Sequence, residues 1–192
     1  MNTPGTVGPA NPGKGSPPPE PDSRTDRLWR RVLWLLPTGL YVIGSSAGGR
    51  RNMMTANLLV QLSTEPRVVG VSVERAALTH ELVSASGAFS VSILDREDRA
   101  IVRKFVKPVS EWTGGTEEPG AELKGFPVNA KVTGAPILDR AVAYLDCRVV
   151  GTMEFASHIF FAGEVVEAGF QGSGSEESAV LRMEDTRMKY GG

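Results

Sequence analysis

Three short stretches of the sequence contain most of the residues that could take part in chemistry. They are NMMTAN at 52–57, VSVERAALTHE at 71–81 and SHIFFAGEV at 157–165. Their hydroxyl, amide and imidazole groups donate and accept hydrogen bonds. An arginine pair at 50–51 adds positive charge beside the first stretch. A cationic turn beside a polar strand could attract a phosphate, whereas a solvated face is the more common interpretation of such a pair.

The alternation within NMMTAN predicts a strand with one polar face. Successive side chains of an extended chain point to opposite faces. The polar face would carry Met53, Thr55 and Asn57. The face predicted to meet the core would carry Met54, Ala56 and Leu58. A half-solvated strand without any ligand shows the same alternation, so this pattern alone leaves both interpretations open.

The sequence contains no familiar catalytic apparatus. It has neither a GxSxG nucleophile elbow nor a Walker loop, and GGRRN at 48–52 lacks the strand–GxGxxG–helix context of a dinucleotide fold. One cysteine and two histidines cannot form the usual Cys/His zinc site. If the protein is an enzyme, a cofactor is therefore expected to carry the difficult step.

Charge and cysteine usage exclude several classes of protein. Lys and Arg total 21 against 22 Asp and Glu, without a basic stripe, so we expect no nucleic-acid partner. Cys147 is the sole cysteine and is interpreted as a buried structural thiol. The apolar run at 32–36 is too short for a membrane or secretory segment. We expect a cytoplasmic protein without a membrane partner.

The chain divides into a tail and one domain. Pro and Gly fill about half of residues 1–21, a composition that cannot bury enough apolar surface to fold. We interpret 1–26 as a disordered tail, with a proline-rich partner-binding arm as the alternative. Residues 27–192 suit a single domain.

Apolar spacing and breakers predict a chain of mainly β structure with a few helices. Helices are predicted at RLWRRVLWLL (27–36), HELVSAS (80–86) and RAIVRKFV (99–106). Strands are predicted at LYVIGSSA (40–47), in NMMTAN, at RVVGVSVE (67–74), AFSVSIL (88–94), AVAYLDCRVVGTMEF (141–155) and HIFFAGEVVEAGF (158–170). Thr79 is expected to cap the second helix and Gly87 to end it. Residues 109–126 are predicted to be a long polar loop. Without βαβ alternation, these strands favour a barrel.

The order of these segments resembles the flavin reductase-like family. The resemblance rests on 40–94, 157–168 and 179–192, and its most specific element is NMMTAN followed by SVER, THEL and SGAF. It implies an FMN-binding split β-barrel. It also implies a set of cofactor-binding residues, which are Asn52, Thr55, Ala56, Asn57, Ser72, Val73, Glu74, Arg75, Thr79, Lys104 and His158.

Two of these residues have competing interpretations. The resemblance places Lys104 near the flavin phosphate or pyrimidine edge, whereas an exposed helical lysine is the ordinary alternative. His158 is the candidate catalytic residue, close to flavin and nicotinamide, with a backbone-bonded histidine as its alternative. Many family members have Asp before this histidine. Here it is Ser157, which removes a charged partner for the ring and favours a positioning or hydrogen-bonding role for His158.

The resemblance implies an NAD(P)H-dependent flavin reductase. NADH or NADPH would reduce FMN or FAD, and the electrons would pass to an acceptor such as a monooxygenase. The alternatives are a flavoredoxin-type electron-transfer protein with tightly bound FMN and a non-catalytic flavin-binding module. The family also implies a homodimer. A homodimer is compatible with the sequence, because some residues offer more apolar area than one small barrel needs to bury. These residues are Trp34, Phe155, Phe160 and Phe161.

Overall fold

The computed structural model describes residues 22–109, 112–113 and 120–188. The chain separates into two compact units, Met1–Leu36 with Gly191–Gly192 and Pro37–Tyr190. Residues 1–21 of the predicted tail lie outside the described residues, so its disorder stays a prediction.

The first unit contains one described helix, α1 (Ser23–Leu33). It begins and ends earlier than the predicted 27–36. The side chain of Asp22 accepts hydrogen bonds from the backbone N–H groups of Arg24 and Thr25, which starts the helix before the apolar run. Those bonds hold the pKa of Asp22 below its usual range. Pro37 disfavours helical backbone at Leu36, so the helix ends before it.

The second unit is built on an antiparallel sheet of seven strands. Its strands are β1 (Tyr41–Ala47), β2 (Arg50–Ala56), β3 (Leu59–Thr64), β4 (Arg67–Glu74), β5 (Ala88–Ile93), β10 (Ala143–Glu154) and β11 (His158–Phe170). They lie side by side in the order β2-β1-β5-β10-β11-β4-β3. A smaller sheet pairs β6 (Trp112–Thr113), β7 (Glu122–Leu123), β8 (Phe126–Ala130) and β9 (Pro136–Leu138) in that order. The predicted mainly β class is confirmed. The loop predicted at 109–126 is partly wrong, because β6 and β7 pair within it.

Apolar side chains fill two clusters, one on each face of the central strands. Val42 of β1 belongs to the first cluster and its neighbour Ile43 to the second. The face of β2 predicted to be polar is therefore buried too, and Met53 is fully inaccessible. Leu58, predicted in the core, is 42% exposed because β2 has already ended.

The helical segments of the second unit correct two predictions. Helix α2 (Leu78–Ser86) begins after Ala77, which makes no side-chain cap, so the capping role predicted for Thr79 is wrong. Gly87 does end it, with a φ of 66° that favours glycine. The helix predicted at 99–106 is instead a 3₁₀ turn at Ile101–Phe105, following one at Arg96–Asp98 that begins at Asp95. A third 3₁₀ turn is Met183–Asp185.

The described residues include no helix long and apolar enough to cross a membrane. They also hold no group of three His, Cys, Asp or Glu side chains arranged for a metal ion. Cys147 is fully buried, as predicted, and burial, with a contribution from Asp146, raises the pKa of its thiol to about 12. This thiol is therefore a structural group.

Candidate functional site

Strands β3, β4, β11 and β10 present one face away from the apolar clusters, which we call the open sheet face. Ser72 of β4 lies opposite Phe160 of β11, and Glu74 lies opposite His158. Paired and alternate residues of antiparallel strands share a face, so these four side chains project together. The intervening residue Val73 points the other way and is fully buried.

Asn57 lies in the corner between β2 and β3. The carbonyl of Leu58 accepts a hydrogen bond from the N–H of Ser72 over 3.0 Å, which fixes the corner against β4. The side chains of Asn57 and Ser72 are half-buried. Within the described part of the chain, neither donates or accepts a side-chain hydrogen bond. The amide of Asn57 and the hydroxyl of Ser72 are thus available for a ligand.

Apolar groups surround these polar groups. The ring of Phe160 lies across Gly70, where an added Cβ would meet Cζ of the ring at 2.0 Å. Glycine at this position leaves room for the ring against the strand. Nearby, Leu58, Val60 and Met153 are each at least 42% exposed. The open sheet face therefore combines exposed apolar side chains with a few polar groups, as ligand sites commonly do.

His158 stands at the end of this face with one ring nitrogen bonded. Its Nδ1 is 2.8 Å from Oγ of Ser157. The neutral hydroxyl of Ser157 is thus the partner of this ring nitrogen. Its other ring nitrogen, Nε2, has no hydrogen bond among the described residues, so it is available to a ligand.

Arg75 lies at the same end but turns toward the connection between β10 and β11. Its Nη2 donates to Oε2 of Glu154 over 2.9 Å and its Nε donates to the carbonyl of Phe155 over 3.1 Å. Its backbone N–H donates to the carbonyl of Ser157 over 3.0 Å. The predicted cofactor-binding guanidinium is therefore engaged with the protein itself.

Asn52 and Thr79 meet in a second, buried cluster. Nδ2 of Asn52 donates to Oγ1 of Thr79 over 2.8 Å, and Oδ1 accepts from the N–H of Val109 over 2.8 Å. Close by, Oγ1 of Thr55 donates to the carbonyl of Val102 over 2.5 Å. These groups join β2 to α2 and to the segment after the second 3₁₀ turn. Their predicted contact with a cofactor stays a prediction.

The remaining predicted site residues are dispersed. Ala56 and Val73 have buried side chains within the apolar clusters, so only their backbone atoms are candidates for ligand contact. Lys104 is exposed on the second 3₁₀ turn, and its carbonyl accepts from Nζ of Lys124 over 2.9 Å. No hydrogen bond within the described residues ties Lys104 to another predicted site residue.

Sequence reasoning did not find the partners that orient these groups. Arg75 bonds to Glu154 and Phe155, which lie 79 and 80 positions further along the chain. Asn52 bonds to Val109, which lies 57 positions further along. Two of these contacts use backbone atoms, which every residue has. No local pattern of residue types could have identified them.

The sequence and fold of this chain are similar to those of known proteins. Residues 33–190 match a family model described as the flavin reductase like domain. The NADH-dependent FAD reductase of Streptomyces globisporus is 31% identical over 156 residues, covering 80% of this chain and 81% of that protein. The high molecular weight rubredoxin of Moorella thermoacetica is 32% identical over 142 residues, covering 72% of this chain but 58% of that protein. The solved structure of the styrene monooxygenase flavin reductase from Pseudomonas putida S12 matches with a TM-score of 0.61 and 26% identity, covering 74% of this chain and 87% of that chain.

Proposed function

This chain belongs to the flavin reductase-like family, and from that premise we propose that it is an NAD(P)H-dependent flavin reductase. Its mainly β architecture is the split β-barrel of that family. The observation that supports the site is the pair of half-buried side chains, Asn57 and Ser72, without side-chain partners among the described residues; Ser72 shares the open sheet face with His158. The name of the Streptomyces globisporus relative supports a flavin and NADH as the reacting pair.

The residues on the open sheet face fit a flavin, either FMN or FAD. A flavin presents a flat aromatic ring, a pyrimidine edge with carbonyl groups and an N–H, and a hydroxylated chain ending in phosphate. The apolar bed at Phe160 suits the ring, and the amide of Asn57 and hydroxyl of Ser72 suit the polar edge or chain. Lys104, exposed and cationic, is our candidate for the phosphate.

When bound, the flavin supplies the redox chemistry, accepting a hydride from NADH or NADPH and giving up electrons to an acceptor. The chain's own contribution is to bind and orient. Asn57 and Ser72 fix the polar side of the ligand against a rigid sheet, which holds reacting groups at a near-attack distance. His158 offers Nε2 for a hydrogen bond to flavin or nicotinamide. This function needs no nucleophile from the chain.

We propose a homodimer formed through the apolar part of the open sheet face. β3 is an edge strand. Its Val60 and Leu62, together with Leu58 just before it, form an exposed row that is at least 42% accessible at each position. Such a row on an edge strand favours association with another chain. Phe155 is 51% exposed and adds to it. Phe161, predicted as part of this surplus, is instead in the core at 2% exposure because it points to the other face.

A monooxygenase is the proposed electron acceptor, as the name of the Pseudomonas putida relative suggests. The decisive experiment is anaerobic. One equivalent of FMN or FAD is added to the protein. The absorbance of the oxidised flavin at about 450 nm is then followed on addition of NADH or NADPH. Rapid bleaching is expected and identifies the donor. Binding without bleaching by either nucleotide would contradict the reductase and favour a flavoredoxin-type carrier or a binding module.

A further inference from the structure

Arg75 makes three hydrogen bonds to one short connection, the turn between β10 and β11. Its backbone N–H donates to Ser157, its Nε to the carbonyl of Phe155 and its Nη2 to Glu154, all between 2.9 and 3.1 Å. Within the turn, the N–H of Phe155 donates to the carbonyl of His158 over 2.9 Å. The turn that leads into His158 is therefore fixed from β4.

The ring of His158 depends on the same turn. Oγ of Ser157 lies 2.8 Å from Nδ1, and Ser157 is itself held at its carbonyl by Arg75. The next residue along the chain, His158, begins β11 opposite Glu74. A shift of the turn would move Ser157 and rotate the imidazole away from the open sheet face.

We propose that Arg75 is a positioning residue for His158 rather than a ligand of the cofactor. Arg75 clamps the turn, and Ser157 holds Nδ1, so that Nε2 stays directed to the bound ligand. This inference rests on the proposed function and extends it to a residue that does not touch the reacting groups.

The chemistry of the side chain supports arginine at this position. The guanidinium is planar with its donors in a fixed fork, so Nε and Nη2 reach two acceptors at once. The ammonium of lysine is a point charge on a flexible stem and would hold Glu154 or Phe155 less rigidly. The ion pair alone would contribute little, since Glu154 is 71% exposed. The role lies in geometry rather than in stability.

The test compares Arg75→Gln and Arg75→Lys with Arg67→Gln, which removes an exposed arginine from the other end of β4. The first readout needs no flavin. The protein contains two histidines, so 15N labelling of histidine with His80→Gln for assignment isolates the His158 ring. Arg75→Gln should move the Nδ1 resonance of His158 and lower the order of its ring, Arg75→Lys should do so less, and Arg67→Gln should leave both unchanged.

The second readout separates rate from affinity. Because a small displacement of a catalytic group is costly, Arg75→Gln should slow flavin reduction about tenfold in a single turnover. The flavin Kd of Arg75→Gln should change less than about twofold, since a positioning residue does not contact the ligand. Ser157→Ala should reproduce the slower rate and covers the case in which Arg75→Gln does not fold.

An unchanged His158 ring signal in Arg75→Gln would overturn the proposal. So would a large rise in flavin Kd with an unchanged rate, which would return Arg75 to the cofactor-binding set. If the native protein reduces no flavin, the proposed function fails. The ring measurement still decides whether Arg75 positions His158.

Discussion

Asn52 and Thr79, 27 positions apart, are joined by a buried hydrogen bond of 2.8 Å from Nδ2 to Oγ1. Both side chains are at most 2% exposed. The other end of the Asn52 amide accepts from the N–H of Val109. One side chain thus ties β2 to α2 and to the segment after the second 3₁₀ turn.

Asn52→Ala should lower the free energy of unfolding by about 2 kcal/mol, because it leaves Oγ1 of Thr79 and the N–H of Val109 buried without that partner. Urea unfolding of the flavin-free protein measures this loss. Asn57→Ala is the matched control on the same segment and should cost less than about 0.5 kcal/mol, since its amide makes no internal bond within the described residues. Equal losses in the two variants would contradict the difference in role.

Replacing Asn57 by Leu and Ser72 by Ala together should raise the flavin Kd about tenfold or more, because each removes a hydrogen bond to the ligand. Flavin fluorescence titration measures the change, and circular dichroism checks the fold. Thr55→Val is the contrasting variant. It should lower stability through loss of the bond to Val102 while leaving the Kd unchanged. A higher flavin Kd in Thr55→Val would place Thr55 in contact with the flavin.

Gly44→Ala should destabilise the sheet by about 1–3 kcal/mol through overpacking. A Cβ at Gly44 would lie 1.9 Å from the carbonyl oxygen of Pro136 and 2.4 Å from Oγ of Ser90. Since the first of these is backbone, relief requires β9 to move. Gly151→Ala is the control, because nothing lies within 4 Å of its added Cβ. Thermal unfolding of the two variants should differ clearly, and similar transition temperatures would contradict the packing argument.

The buried thiol of Cys147 should make stability fall at alkaline pH. Its pKa is raised from 9.0 to about 12 in the folded protein. Below pH 9 the thiol is protonated in both the folded and the unfolded chain, so it does not change the free energy of unfolding. Between these values the unfolded chain releases the proton while the folded chain keeps it, so the free energy of unfolding falls by up to about 1.4 kcal/mol per pH unit.

Urea unfolding at pH 8 and pH 10, with Cys147→Ala as the reference, isolates this contribution from other titrating groups. The native protein should lose more stability between the two values than the variant does. Parallel pH dependence in the two proteins would show that the thiol ionises without unfolding.

Charge placed on the exposed row of β3 should prevent the proposed dimer. Val60→Asp with Leu62→Asp introduces two carboxylates that would be desolvated in an interface. Light scattering after gel filtration should give twice the chain mass for the native protein and the chain mass for the variant. Val132→Asp, at an equally exposed position, should leave the mass unchanged. A native protein with the mass of one chain would contradict the dimer.

Patterns close together in the sequence predicted much of the architecture. Alternation within 67–74 placed Ser72 opposite the buried side of β4, and the bounds predicted at 158–170 are those of β11. Gly87 was identified as a helix end because only a residue tolerant of positive φ suits that position. These features depend on residues within a few positions of each other, which the sequence displays directly.

What the tertiary structure decided is which polar groups remain available. Asn52, Thr55 and Arg75 have the same residue types as ligand-binding groups, yet the fold engages each with an atom at least 47 positions away. Asn57 and Ser72 stay available because, among the described residues, no other segment brings a hydrogen-bonding partner to their side chains. A residue's donors are set by its side chain, but the atom that accepts from them is set by which distant segment packs against it.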